Sequence, residues 1–256
     1  MKNVTFKEIL IGAFTFFLSF SIGSDLFAQG VKINSSDRPF LYLSTAYAST
    51  SSFSQGTNDP FYSGSHQSYA SNTVRADLGL QLNRNLAFEL GYIRTPLWLT
   101  KKITVGDLPV SNGGGVSYTR VSFYSFKLKH SSPVFHKNIL FKTGLGYALG
   151  VSNVNIGKLG PSEPKTTTVN ENVIVSSSTI TDLHQGSTHF MTFDVGLEWA
   201  IHRKFSVFSG ASLYRGFTDI QQEEIEYNIN GTKGSFTTTT DGSFYAFEAG
   251  IKYNFR

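Results

Sequence analysis

The sequence predicts an all-β fold: a closed eight-stranded antiparallel transmembrane β-barrel with short periplasmic turns and long extracellular loops. Three observations predict it. Apolar and polar residues alternate with a period of two, short and long connections alternate between the alternating segments, and no segment beyond residue 28 resembles a transmembrane helix. A period of two places neighbouring side chains on opposite faces of a strand. Within lipid only helices and closed barrels satisfy every backbone hydrogen bond, so an open sheet is excluded.

The composition agrees with one barrel domain. The chain has 256 residues, a length common for single all-β barrels. Charged residues make up 16%, below the usual share of about 25%, and aromatic residues make up 14%. The mean hydropathy of −0.12 is compatible with a barrel, because only one face of each strand meets lipid. Cysteine is absent, which excludes disulfides, thiolate metal sites and a cysteine nucleophile.

The first 28 residues are predicted to be a signal peptide, and residues 29–256 the barrel domain. Lys2 and Lys7 give a basic start, residues 9–22 form a short apolar run, and Ala28 offers a small residue at a cleavage point. The apolar run is shorter than the roughly 20 residues that a membrane-spanning helix needs. The alternative is an uncleaved N-terminal anchor.

Two segments alternate most clearly. Residues 191–201 place Met191, Phe193, Val195, Leu197, Trp199 and Ile201 on one face and Thr192, Asp194, Gly196, Glu198 and Ala200 on the other. Residues 245–255 place Tyr245, Phe247, Ala249, Ile251, Tyr253 and Phe255 on one face and Ala246, Glu248, Gly250, Lys252 and Asn254 on the other. We predict that the apolar faces meet lipid and that the polar, glycine-rich faces line the lumen.

Six further strands follow from the same pattern, at residues 40–50, 74–82, 86–92, 116–130, 139–150 and 205–214. The two faces of the strand at 116–130 are the least cleanly divided. The predicted short turns are 83–85, 131–138 and 202–204, and the predicted long loops are 51–71, 102–115, 153–186 and 216–242. This alternation fits a barrel with both chain ends in the periplasm.

Three segments carry a family resemblance: 141–150 (FKTGLGYALG), 193–199 (FDVGLEW) and 247–256 (FEAGIKYNFR). Over residues 39–256 the chain resembles small eight-stranded outer-membrane barrels of the OmpA-transmembrane and OmpX-like kind, and more narrowly the outer membrane protein β-barrel families of Bacteroidota. The resemblance implies contact with outer-membrane lipid and lipopolysaccharide, and recognition by the barrel-assembly machinery. Such barrels usually end in an aromatic residue, whereas here Arg256 follows Phe255. As in OmpX-like proteins, the polar runs 166–168, 176–178 and 237–240 are expected to extend strands as paired flaps.

Charged residues on the inward faces are the first candidate site. We expect them to form a salt-bridge network that fills the lumen, because an eight-stranded interior is just wide enough for side chains. The alternative is a narrow polar conduit. The predicted network comprises Arg75, Asp77, Glu89, Lys142, Asp194, Glu198, Glu248 and Lys252.

Outward aromatic residues are the second candidate set, and we interpret them as girdles at the two membrane interfaces rather than as stacking sites for a ligand. They are Tyr92, Trp98, Tyr147, Trp199, Tyr245, Tyr253 and Phe255. Ser187 and His189 share one strand face, but lipid-A deacylase barrels carry their His-x-Ser pair in the opposite order. No catalytic residue, metal site or cofactor is predicted, and the histidines lack zinc-like spacing.

The leading hypothesis is a non-enzymatic outer-membrane protein with a structural or surface-interaction role through its extracellular loops. The alternatives are a small conduit or secretion-associated component and, less favoured, a lipid-modifying enzyme. The formal net charge of +4 suits contact with lipopolysaccharide phosphates. The alternative is that so small an excess of positive charge has no functional significance. A partner outside the cell is expected through the loops, and no nucleic acid is expected.

Overall fold

The computed structural model describes residues 39–53, 55–56, 70–100, 103–105, 108–110, 116–134, 136–152, 163–169, 171–182 and 186–255. The predicted signal peptide, residues 1–28, lies outside these residues. Within the described ranges no helix is long and apolar enough to cross a membrane.

Fifteen strands occur in the described part of the chain. In chain order they are β1 (Phe40–Ser52), β2 (Gln55–Gly56), β3 (Ala70–Gln81), β4 (Leu86–Thr100), β5 (Ile103–Val105), β6 (Leu108–Val110), β7 (Val116–Val134), β8 (His136–Ser152), β9 (Lys165–Val169), β10 (Asn172–Asp182), β11 (Ser187–Ala200), β12 (Phe205–Gly216), β13 (Gln221–Ile229), β14 (Thr232–Thr240) and β15 (Phe244–Phe255).

Eight of these strands close into a barrel, which confirms the predicted fold. Their order around the wall is β1-β15-β12-β11-β8-β7-β4-β3, and β3 pairs again with β1. All eight pairings are antiparallel. The first and last strands of the chain close the wall, with Thr45 opposite Ile251. Closure leaves no barrel strand with an unpaired edge, as a membrane-spanning sheet requires.

The two faces of the wall differ in the way that the alternation predicts. In β1 every second residue from Tyr42 to Thr50 is buried, whereas Leu41, Leu43 and Tyr47 are each about half exposed. The same pattern holds in β3, β11 and β15. The buried residues fill the lumen, and the exposed ones form an apolar outer surface that would be unfavourable in water.

One predicted turn has the wrong bounds. Within 131–138, residues 131–134 lie in β7, which ends at Val134, and residues 136–138 lie in β8, which begins at His136. Ser131 and Ser132 pair with Lys142 and Phe141, which extends the hairpin. The register shifts between Pro133 and Val134, and such an irregularity is where a strand accommodates proline, which has no N–H to donate.

Strands from three of the long connections at the other end form a second sheet, whereas β5 and β6, in the connection between β4 and β7, pair with each other in a separate two-stranded sheet. The second sheet has the order β2-β14-β13-β10-β9, and we call it the loop sheet. The polar runs at 166–168, 176–178 and 237–240 do lie in strands, but these strands belong to the loop sheet rather than extending the barrel wall. Two glycines lie where the chain enters the barrel wall from the long connections: Gly186 before β11, with φ +112°, and Gly242 before β15, with φ +72°. Glycine adopts such backbone angles without the steric cost of a Cβ.

The loop sheet has its own hydrophobic cluster and is joined to the barrel. Ile174, Ile225, Tyr227, Ile229 and Phe236 are buried together in it. At the junction, the Ile220 amide donates to the Thr240 carbonyl at 2.8 Å, and the Thr240 hydroxyl donates to the Phe53 carbonyl at 2.7 Å. Ile220, the residue before β13, packs in the apolar cluster of the upper lumen and so anchors the start of that strand to the barrel.

Candidate functional site in the barrel lumen

The strand alternation brings the eight predicted charged residues into the lumen. Arg75 and Asp77 come from β3, Glu89 from β4 and Lys142 from β8. Asp194 and Glu198 come from β11, and Glu248 and Lys252 from β15. Seven of the eight are buried, and the Lys142 side chain is 17% exposed. The β3–β4 hairpin and the strands β8, β11 and β15 therefore contribute side chains to one site, because the closed wall directs these faces of the strands inward.

Arg75 is the centre of the network. Its Nε donates to Asp77 Oδ1 at 2.7 Å, and its Nη1 donates to the two Glu248 carboxylate oxygens at 2.6 and 2.8 Å. Its Nη2 donates to Glu89 at 3.3 Å and lies 3.8 Å from Asp194. One guanidinium thus contacts four carboxylates, which its planar fork of donors can satisfy and a single ammonium could not.

Two lysines outside the predicted network complete the centre. Lys127 Nζ donates to Asp194 at 2.9 and 3.0 Å and lies 3.3 Å from the Tyr214 hydroxyl. Lys129 pairs with Glu89 and lies 3.5 Å from Asp194. Aromatic residues occur on both faces of β7, which obscured its alternation. The signal was nevertheless present, since Lys127 and Lys129 flank the outward Leu128.

A second group lies nearer the short-turn end. Glu198 pairs with Lys142, and with Lys252 at 3.3 Å. The Lys252 ammonium lies 4.0 Å from the centre of the Tyr42 ring, a cation–π contact. The Tyr42 hydroxyl donates to Glu89 at 3.1 Å and so connects this group to the Arg75 network. Tyr42 lies over its cross-strand partner Gly79, where any larger side chain would overlap the ring.

The charges in the described lumen balance. Five cations, Arg75, Lys127, Lys129, Lys142 and Lys252, face five carboxylates, Asp77, Glu89, Asp194, Glu198 and Glu248, so the formal sum is zero. Buried charges are tolerated when they are paired and hydrogen-bonded, and each of these has at least one partner. The arrangement is a packed network rather than a charged channel of one sign.

Aromatic side chains close the lumen above the charges, toward the long-loop end. The centre of the Phe123 ring lies 4.9 Å from that of Phe190, 5.6 Å from that of Tyr214 and 4.9 Å from that of Phe244. The Tyr214 and Phe244 rings stack at 4.3 Å. All four side chains are almost fully buried, and we call them the aromatic plug. Their residue type does not predict this place, because aromatic residues are expected on the lipid-facing side of a barrel.

One small cavity lies beside the charged centre. Its volume is about 50 Å³, and Arg75, Lys129, Lys142, Asp194 and Glu248 are among its lining residues. Gly196 and Gly210, opposite each other on β11 and β12, also line it. The volume suffices for roughly three water molecules, which polar groups of this kind would hold by hydrogen bonds.

The predicted interface aromatics lie on the outer surface where their side chains are described. Tyr92, Tyr147, Trp199 and Phe255 are exposed, and Tyr245 and Tyr253 are half-buried. The Trp98 side chain lies outside the described residues. Tyr47 and Tyr124 join the outer set in the structure.

His189 contacts a tyrosine rather than a catalytic partner. Its Nδ1 is hydrogen-bonded to the Tyr147 hydroxyl, and both side chains are exposed on the outer surface. Ser187 lies two residues away on the same face, and no carboxylate of the described residues forms an ion pair with His189. In the described ranges, no group of three or more His, Asp or Glu residues could hold a metal ion.

A closed antiparallel barrel with an apolar outer wall and a filled polar interior defines the class of transmembrane β-barrels. No protein-family model matches the chain. No curated protein sequence matches it either.

Several solved structures are similar to it. The outer membrane protein OprG from Pseudomonas aeruginosa is 9% identical, with 85% of this chain and 96% of that chain covered and a TM-score of 0.49. AlkL, solved in lipid bilayers, is 12% identical, with coverages of 88% and 94% and a TM-score of 0.42. Ail, the attachment invasion locus protein of Yersinia pestis, is 9% identical, with coverages of 84% and 99% and a TM-score of 0.36. Similarities at this level carry no information on what this chain binds.

Proposed function

We propose that the protein is a non-enzymatic barrel of the outer membrane whose lumen is closed and whose loop sheet presents a folded surface outside the cell. The aromatic plug and the neutral charge network fill the interior, and this observation carries the proposal. A filled lumen leaves the loop sheet as the part of the molecule that can meet partners in the external medium.

The outer wall supports the membrane location. Exposed leucine, valine, isoleucine and aromatic side chains occur on all eight barrel strands, among them Leu43, Leu78, Leu90, Phe126, Leu197 and Ile251. A soluble protein rarely exposes so continuous an apolar surface, whereas a barrel in lipid requires it. The export signal predicted for residues 1–28 agrees with an outer-membrane destination.

The loop sheet supports the surface role. One face buries Ile225, Tyr227 and Phe236, while Glu224 and Glu226 are exposed on the other. Hydroxyl side chains of β9 and β14, such as Thr166, Thr168 and Ser235, are also exposed. A folded, hydrogen-bonded sheet loses less conformational entropy on binding than a flexible loop, so it suits recognition of a partner.

This orientation predicts which turns antibodies reach on intact cells. An epitope tag inserted at the exposed β13–β14 turn, between Asn230 and Gly231, is expected to be labelled without permeabilising the outer membrane. Both residues are exposed, and no atom lies within 4 Å of the place that a Cβ on Gly231 would take, so the turn should tolerate an insertion. Flow cytometry with an anti-tag antibody measures the labelling.

The matched control is the same tag between Arg203 and Lys204, in the exposed turn that joins β11 and β12. Its labelling is expected only after permeabilisation. Labelling of the Arg203 tag on intact cells, with no labelling of the Asn230 tag, would mean that the barrel is inverted and the proposal is wrong.

A second candidate function is a narrow conduit. The cavity beside Arg75 and the concentration of charge around it favour this alternative. Conduction would require the aromatic plug to move aside, because its rings lie between the charged centre and the long-loop end. Single-channel conductance of the purified protein separates the two functions.

A further inference from the structure

The charged residues of the connections are distributed unevenly between the two ends of the barrel. The four predicted long loops, 51–71, 102–115, 153–186 and 216–242, contain ten Asp or Glu residues and only four lysines. The three predicted short turns contain no Asp or Glu, but they contain the cations Arg84, Lys137, Arg203 and Lys204. The connections at the short-turn end therefore carry an excess of positive charge, and those at the other end an excess of negative charge.

The turn between β11 and β12 presents two of these cations to its surroundings. Arg203 and Lys204 are exposed, and neither side chain forms an ion pair with the described part of the chain. The Ile201 amide donates to the Phe205 carbonyl at 3.1 Å and closes the turn. The Asn254 amide donates to the Lys204 carbonyl at 2.8 Å, and the Asn254 side chain donates to the Arg203 carbonyl at 3.4 Å. The backbone of the turn is thus fixed to the end of β15, while both cationic groups remain accessible.

The apolar outer wall of the barrel continues up to this turn. Ile201 and Phe205, the residues that flank it, are 60% and 50% exposed. The Phe205 ring lies 5.0 Å from the Tyr253 ring, and Trp199 is exposed two residues before Ile201. Three residues extend by at most about 10 Å beyond this apolar edge. The head-group layer on each side of the hydrocarbon core is roughly 5–8 Å thick, so the two cations lie at the height of lipid head groups.

This position selects among the anionic molecules that the short-turn end can meet. A polyanion dissolved in the periplasm would require cations on a segment that extends away from the membrane, whereas this tight turn keeps them at the membrane surface. The phosphate groups of phospholipids lie at that surface. A guanidinium matches phosphate oxygens with paired donors, and an adjacent ammonium adds a second positive charge. Two unpaired cations attract a lipid with net negative charge more strongly than a zwitterionic one.

We propose that Arg203 and Lys204 bind the head group of an anionic phospholipid in the periplasmic leaflet of the membrane. The inference rests on the location and orientation in the proposed function, and it adds a lipid partner for the short-turn end. The two cations act together with Asn254, which positions the turn and does not itself contact the lipid.

Native mass spectrometry of the purified full-length barrel in detergent micelles tests this site. The probes are phosphatidylglycerol, which has a net negative charge, zwitterionic phosphatidylethanolamine, and a soluble disaccharide-peptide fragment of peptidoglycan. The double variant Arg203→Ala/Lys204→Ala is expected to bind phosphatidylglycerol about 10- to 30-fold more weakly than the wild type. Phosphatidylethanolamine should bind the wild type and the double variant equally weakly.

Two control variants make the result specific to this turn. Lys165→Ala/Lys233→Ala removes two exposed lysines of the loop sheet and the same amount of charge, and it should bind phosphatidylglycerol as the wild type does. Arg203→Lys/Lys204→Arg keeps both positive charges at the turn and should retain most of the affinity. Unboiled gel migration verifies that every sample is folded.

Three results would overturn the lipid site. They are equal binding of phosphatidylglycerol by the wild type and Arg203→Ala/Lys204→Ala, an equal loss in Lys165→Ala/Lys233→Ala, and a loss confined to the peptidoglycan fragment, which would assign the cations to the cell wall. Labelling of the Asn230 tag on intact cells tests the orientation separately, because lipid binding in micelles does not depend on it. Failure of the proposed function and failure of the lipid site are therefore distinguishable.

Discussion

Replacing Arg75 by methionine is expected to lower the free energy of unfolding by about 3–5 kcal/mol, the range for removal of one partner from a buried ion pair. Arg75 contacts four carboxylates, and its removal leaves Asp77 and Glu248 buried without their main cation. Methionine retains much of the volume, so the loss reports charge rather than packing. Urea titration of the protein in phospholipid vesicles, followed by tryptophan fluorescence, measures the effect.

Two further variants make this result specific. Arg203→Met changes an exposed arginine in a turn and should alter stability by less than about 0.5 kcal/mol. Adding Glu248→Gln to Arg75→Met removes one of the orphaned charges and should restore part of the loss, because residues in one network couple. If Arg75→Met unfolds at the urea concentration of the wild type, the charge network does not stabilise the barrel.

Replacing Phe123 by alanine is expected to destabilise the barrel by about 3–5 kcal/mol, as found for large-to-small changes in packed interiors. Phe123 is fully buried and contacts Phe190, Tyr214 and Phe244, so its loss opens a cavity in the middle of the aromatic plug. The same urea titration measures the change.

Phe126→Ala is the matched control, because Phe126 lies in the same strand but on the lipid-facing side, where it is 51% exposed. It should cost clearly less than Phe123→Ala, since lipid chains can fill the space that the ring leaves. Equal losses for the two variants would mean that the lumen is no better packed than the outer wall, which contradicts a plug.

The barrel could be predicted from the sequence because each strand carries a local pattern. Phe193 and Asp194, or Phe247 and Glu248, belong to opposite faces in any sheet, and the faces can be assigned without knowing which strands pair. The inward direction of the eight predicted charges follows from this two-residue alternation alone. The alternation does not tell which charges pair with one another. Arg75 and Glu248 are 173 residues apart, and they meet only because the first and last strands close the wall.

Three features escaped prediction for physical reasons. Lys127 and Lys129 are hard to assign because Phe123 and Tyr124 place aromatic rings on both faces of β7. The aromatic plug is hidden in the sequence because an inward Phe190 is indistinguishable by type from a lipid-facing Phe193. The loop sheet combines strands from different loops, such as β10 with β13, and pairings between distant segments leave no local pattern.

The closed lumen is the central claim, and single-channel recording in planar lipid bilayers tests it most directly. The sample is wild-type protein whose folding is verified by faster gel migration without boiling. We expect no conductance steps, because the aromatic plug and the paired charges fill the interior, and Arg203→Met should be equally silent. Regular ohmic steps from the folded wild type would contradict a closed lumen and favour the conduit.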